Sequence, residues 1–260
     1  MEPTVTFELR DGIARVTLNR PEAANTMNLQ FGRDLLDAAR RCGSERGVRA
    51  VVITGAGKAF CFGGDLGAMM MNEGDAVEAY LRELTVDLHA AIVAFTRLQA
   101  PVIVAVNGTA AGAGVGLVAM ADLAIAAEGA KFSMAYTGVG LTPDGSTSYF
   151  LPRVLGMKRA MELVLTNRPL TAAEALDWGL VNKVVPDAEL ADETARLASR
   201  LAAGPTQAFA QAKRLMRSRA SLEAQLEDES RTIARQGASA EGAEGIKAFL
   251  EKRKPAFPRD

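Results

Sequence analysis

PVIVAVNGTAAGAGVGLVAMADLAIA, residues 101–126, decides how the rest of the chain is read. It opens with a short apolar run, VIVAVNG (102–108), of the kind that forms a strand buried on both faces. A glycine-rich turn follows, then a helix over 112–120, then a third apolar strand, LAIAA (123–127). No charged residue occurs from Leu98 to Ala121, a stretch long enough to raise the question of a membrane helix. Pro101, Asn107 and four glycines interrupt it, so strand, turn and buried helix account for it better.

Working outward, RAVVITG (49–55) is another buried strand, preceded by a helix over 28–42 with Phe31, Leu35, Ala38 and Cys42 on one face. Leu81, Leu84, Leu88, Ile92 and Phe95 form the stripe of a long helix that Pro101 closes. The chain begins with a hairpin, VTFEL and IARVTL around Asp11-Gly12, a dipeptide suited to a type I′ turn. Helix and strand alternate, which implies a parallel sheet, with AKFSM (130–134) as a candidate fourth strand. Beyond about residue 145 only LVNKVV (180–185) reads as strand. Thr171 and Glu174 have capping-box spacing. Gly204-Pro205 breaks the helical last third, and one helix is predicted from there to about Arg235. The fold class is α/β, with a core over residues 1–200 and a helical subdomain over 201–260.

Composition removes several functions. The 30 Lys and Arg balance 31 Asp and Glu, which leaves no electrostatic footprint for nucleic acid or an anionic membrane. Cys42 and Cys61 make no disulfide framework, and neither a signal peptide nor a peroxisomal address is evident, so a cytoplasmic setting is expected. His89 is the sole histidine, set beside the Leu88 stripe. That excludes a His-rich metal site, argues against a Ser-His-Asp or Cys-His relay, and favours a structural role for His89. No G-x-S-x-G elbow is present. Gly55-Ala56-Gly57-Lys58 lacks the spacing and the hydroxyl of a phosphate loop, and Leu117 stands where a dinucleotide fingerprint needs its third glycine.

Two glycine-rich loops remain, KAFCFGGDL (58–66) and NGTAAGAGVG (107–116), each leaving an apolar strand. Parallel strands leave at the same sheet edge, so both loops can face one crevice with free N–H groups at helix starts. Two such groups converging on one oxygen would form an oxyanion hole; two tight turns packed for architecture is the competing reading.

The segments NRPEAANTMNLQF (19–31), AFCFGGDL (59–66), PVIVAVNGTAAGAGVGLVAMADLAIA (101–126), KFSMAYTGVGLTPDGSTSYFLPRVLG (131–156) and LTAAEALDWGLVNKVV (170–185) resemble the ordered motifs of the crotonase (enoyl-CoA hydratase/isomerase) family, from about residue 5 to the end. The resemblance implies a repeated ββα spiral core with a C-terminal helical trimerisation subdomain, assembly as trimers or hexamers, an acyl-CoA thioester as substrate, and no cofactor beyond the CoA it carries. It implies that the backbone N–H groups of Gly64 and Ala113 hold the thioester oxygen. The family's usual residue at the second position is Gly, from which Ala113 departs. Segments around Ala23, Phe60, Asp65 and Leu66 would line the CoA channel. Phe249 and Lys252 would reach the adenine end of CoA, and Tyr136 would help orient the substrate.

Family hydratases use two glutamates; at the matching positions this chain has Gly116 and Tyr136. One carboxylate stands in the right loop, Asp144 of LTPDGSTS, where family members that move double bonds carry Pro followed by Asp or Glu. One carboxylate suffices for a 1,3 proton shift, although Asp144 is also well placed to cap a helix. Asp65, Ser146 and Thr147 are candidate capping residues as well. The expectation is an enoyl-CoA isomerase rather than a lyase. A hydratase with unusual residues and a non-catalytic acyl-CoA-binding module are the alternatives.

Overall fold

The computed structural model describes residues 2–71, 75–218 and 220–258. The chain begins with β1 (Val5–Arg10) and β2 (Ile13–Leu18), an antiparallel pair. Asp11 and Gly12 both have positive φ, 52° and 79°, as the type I′ turn requires. α1 (Leu29–Ser44) starts where the Asn28 side chain accepts the Phe31 N–H. Next come β3 (Ala50–Gly55), α2 (Leu66–Met70), α3 (Asp75–Arg97), β4 (Val102–Val106), β5 (Ala110–Ala111) and α4 (Ala113–Met120). β6 (Leu123–Ala127), β7 (Lys131–Ser133), α5 (Thr147–Leu155), α6 (Met157–Thr166), β8 (Leu170–Thr171), α7 (Ala172–Trp178) and β9 (Lys183–Val185) follow. α8 (Leu190–Ala202), α9 (Thr206–Met216), α10 (Leu222–Gly237) and α11 (Ala240–Leu250) complete it.

The main sheet runs β1-β2-β3-β4-β6-β9, parallel from β2 onward, with Val51 opposite Val102 and Ile103 opposite Leu123. Alternate residues of each strand enter two cores. Val51, Ile53, Val102 and Val104 pack with Phe31 of α1 and Phe95 of α3, whereas Val52, Ile103 and Ile125 pack with Leu190 and Ala198 of α8. Burial on both faces is why these strands read as unbroken apolar runs.

Two expectations change. AKFSM is a strand, but β7 leaves the main sheet and joins β5 and β8 in a small second one. The helix expected from Pro205 to about Arg235 is two, because α9 ends at Met216 and Ser221 caps a new start at Leu222. Apolar periodicity carries through such a break, so it gives no warning of one. Thr171 and Glu174 do form the reciprocal capping box. Among the described residues no helix is long and apolar enough to cross a membrane.

Candidate active site

β3 and β4 are adjacent and parallel, so the loops that leave them emerge side by side. Asn25 binds the first loop in place: fully buried, it donates through Nδ2 to the carbonyls of Ala56, Ala59 and Phe60 and accepts the Arg20 N–H. Asn107 opens the second loop and reaches back to the first, accepting from Gly55 N–H and donating to Gly57 and Ala59 carbonyls. The Cys61 carbonyl then accepts the Ala111 N–H at 2.8 Å. This contact is so close that a Cβ on Gly63, at φ 78°, would lie 2.9 Å from the Ala111 carbonyl oxygen. Between these clamps the Gly64 and Ala113 N–H groups are left over. Neither donates to a protein acceptor among the described residues, and both residues line one cavity of about 320 Å³. Burial pushes the thiol of Cys61, in the first loop, up to about 12, far from a thiolate nucleophile.

Asp144 lines the same cavity. Its main-chain carbonyl accepts three hydrogen bonds, from Tyr136 OH at 2.9 Å, Thr147 Oγ1 at 2.7 Å and Thr147 N–H at 3.1 Å. The chain then passes through Gly145 and Ser146, with φ of 56° and 68°, into α5. This bend sets the Gly145 carbonyl against α4, where a Cβ on Gly116 would meet it at 1.9 Å. No side chain fits at Gly116 in this arrangement, so the position matching the first hydratase glutamate is filled by backbone as well as vacant in sequence. Tyr136, matching the second, lines the cavity with its ring while its hydroxyl is committed to Asp144. Burial first, then the charge of Asp144, pushes its phenol up.

The structure gives His89 a partner that its place beside the Leu88 stripe did not suggest. Its Nε2 lies 2.6 Å from Asp144 Oδ1, so the one histidine faces the one carboxylate that lines the cavity among the described residues. Helical spacing explains the placement. Leu81, Leu84, Thr85 and Leu88 of α3 line the cavity, and His89, one turn past Thr85, falls at its edge. The pairing spans 55 residues in sequence, and nothing in the helical pattern signals it.

Of the residues expected at the site, Gly64, Leu66, Ala113, Tyr136 and Asp144 line the cavity together. Ala23 and Asp65 do not. Asp65 caps α2 through the Ala68 N–H and pairs with Arg20 at 3.1 Å. Burial pushes its carboxyl up, yet the Ala68 N–H and Arg20 outweigh this and hold it below the usual carboxylate range. The Phe60 side chain is fully buried in the core, which leaves only its backbone for any channel. Phe249, on α11, is 82% exposed, and Lys252 follows the helix at φ 52°; neither lines the cavity. Sequence reasoning also passed over Asn25 and Gly145, whose roles lie in loop geometry.

The sequence model for "Enoyl-CoA hydratase/isomerase" matches residues 8–260. The chain belongs to this family. Enoyl-CoA hydratase/isomerase family members bind acyl-CoA thioesters, and the mixed α/β architecture with helices at its end is the family's. Three relatives carry three activities in their names. The "Probable enoyl-CoA hydratase" of Rhodobacter capsulatus is 42% identical, covering 98% of this chain and 97% of its own. The 1,2-epoxyphenylacetyl-CoA isomerase of Escherichia coli is 38% identical over 95% of each chain. A 4-chlorobenzoyl coenzyme A dehalogenase of Arthrobacter is 37% identical, covering 78% of this chain and 73% of its own. Family membership therefore establishes an acyl-CoA enzyme and leaves the reaction to be argued from the cavity.

Proposed function

We propose that this family member is an enoyl-CoA isomerase in which Asp144 moves a proton along an acyl chain while the Gly64 and Ala113 N–H groups hold the thioester oxygen. One observation carries the reading: among the described residues Asp144 is the only carboxylate that lines the cavity, and the Gly145 carbonyl occupies the room a second one would need at Gly116. Syn-hydration asks for one group to activate water and another to protonate carbon; a 1,3 shift asks for one group that does both jobs in turn. Asp144 takes a proton from the carbon beside the thioester, the electrons pass to the oxygen as an enolate, and the same carboxyl returns the proton two carbons away. Each oxyanion donor is worth about 2.7–4 kcal/mol and a positioned base about 10²–10⁴-fold, enough together to drive such a step. Met27, Phe62, Leu81, Leu84 and Met134 around the rest of the cavity suit an apolar acyl group.

Asp144→Asn tests this. It abolishes interconversion of 3-enoyl- and 2-enoyl-CoA while acyl-CoA binding, followed by calorimetry, persists. Retained turnover would remove Asp144 from the mechanism; rapid water addition to crotonyl-CoA by the native protein would favour a hydratase instead. Binding without turnover on any enoyl-CoA would mark a non-catalytic module.

The His89–Asp144 pair and the dehalogenase relative favour a second reading, in which Asp144 attacks a ring carbon bearing halide and water then hydrolyses the ester formed. Release of chloride from 4-chlorobenzoyl-CoA decides for or against it.

A further inference from the structure

We infer that His89 is a positioning residue: it holds one oxygen of Asp144 so that the other faces the substrate. The inference rests on Asp144 acting as the base. The main chain at Asp144 has little freedom left, because three hydrogen bonds fix its carbonyl and the Gly145 bend is wedged against α4. What remains is rotation of the carboxylate itself about χ1 and χ2. The 2.6 Å contact from His89 Nε2 to Oδ1 removes that rotation. With Asp144 acting as the base, its ionised oxygens only accept, so His89 Nε2 is the donor in this contact. With Oδ1 occupied, Oδ2 is the oxygen that lifts and returns the proton.

The placement of the two residues fits this role. Asp144 lines both the acyl cavity and a larger groove of about 1170 Å³, whereas His89 lines only the groove. The imidazole therefore reaches the carboxylate without itself lining the acyl cavity. Its side chain is 51% exposed and that of Asp144 37%, so His89 is not part of the packed core that defines α3, which consists of Leu84, Leu88, Ala91, Ile92 and Phe95. Removing it leaves the fold standing.

Two variants test the inference. His89→Phe keeps a ring but loses the donor, and His89→Gln restores an N–H donor. Both are assayed for 3-enoyl-CoA isomerisation and, separately, for deuterium uptake at the α-carbon of a saturated acyl-CoA in D₂O, which needs the base but no double bond. The expected result is that His89→Phe lowers kcat and α-exchange by about tenfold to a hundredfold, the scale of a misplaced catalytic group, with KM unchanged, and that His89→Gln recovers most of both. Native rates in His89→Phe overturn the inference. So does a His89→Gln variant as slow as His89→Phe, or a change confined to KM. If the native protein exchanges the α-proton but isomerises no enoyl-CoA, the isomerase reading fails while the role of His89 is still measured by exchange. If Asp144→Asn exchanges as fast as the native protein, the base assignment fails and the inference with it.

Discussion

The wall that offers the two N–H groups and the wall that carries Asp144 line one cavity but are held by different means. Residues 59–66 and 107–113 are tied by side-chain amides, the buried Asn25 and the half-buried Asn107 together reaching five distinct backbone groups of the first loop and its strand, Gly55, Ala56, Gly57, Ala59 and Phe60. Residues 134–147 are tied by hydroxyls on one carbonyl and include Ala135 and Ser146 in left-handed backbone, a conformation that costs a non-glycine residue about 1–3 kcal/mol. The first wall presents peptide N–H groups, which every residue but proline possesses. The second presents particular side chains. A wall of the first kind can be kept while the reaction changes, and a wall of the second kind is where the reaction is chosen.

The comparison breaks hardest at Asn25. Asn25→Ala removes a fully buried amide and leaves the Ala56 and Phe60 carbonyls and the Arg20 N–H without that partner, while the Ala59 carbonyl keeps only Asn107. Stability should fall by about 2–4 kcal/mol, read as a lower denaturation midpoint, since orphaned buried polar groups bear their full desolvation cost. A loss under about 1 kcal/mol would mean that the amide is not what holds the first wall.

Gly116→Ala attacks the second wall from the other side. The added Cβ cannot coexist with the Gly145 carbonyl at 1.9 Å, so the bend at 144–146 must move and carry Asp144 with it. The expected cost is about 1–3 kcal/mol of stability. A fall in kcat of about 10²-fold should accompany it, with acyl-CoA binding retained because Gly64 and Ala113 keep their places. An unchanged kcat would show that Asp144 tolerates displacement and is not a tightly aimed base.

Which parts were legible in the sequence follows the same division. The strands at 50–55, 102–106 and 123–127 were plain because burial on both faces demands unbroken apolar runs, and the two glycine-rich loops were plain because close backbone approach demands glycine. Asp144 could be picked out as a carboxylate in a matching motif. The His89–Asp144 contact could not, since it joins a helix edge to a loop 55 residues away and periodicity ranks His89 only by its neighbours on α3. The blocked space at Gly116 was equally hidden: the letter G records a missing side chain and not the carbonyl of Gly145 that excludes one.

The smallest effect, and the sharpest test of the backbone claim, is expected at Ala113. Its methyl packs against Gly145, whose own Cβ, if present, would meet that of Ala113 at 2.6 Å, so the two residues are fitted to each other across the join between the walls. Ala113→Gly removes the methyl but leaves the N–H at the first residue of α4, where no intrahelical acceptor competes for it. Stability should drop by at most about 1 kcal/mol, the usual gap between alanine and glycine in a helix. Because the donor is the peptide and not the side chain, kcat should stay within a few-fold of native. A loss as deep as that of Asp144→Asn would mean that Ala113 works through its methyl, by wedging Gly145 and so aiming Asp144, and the two walls would then have to be treated as one.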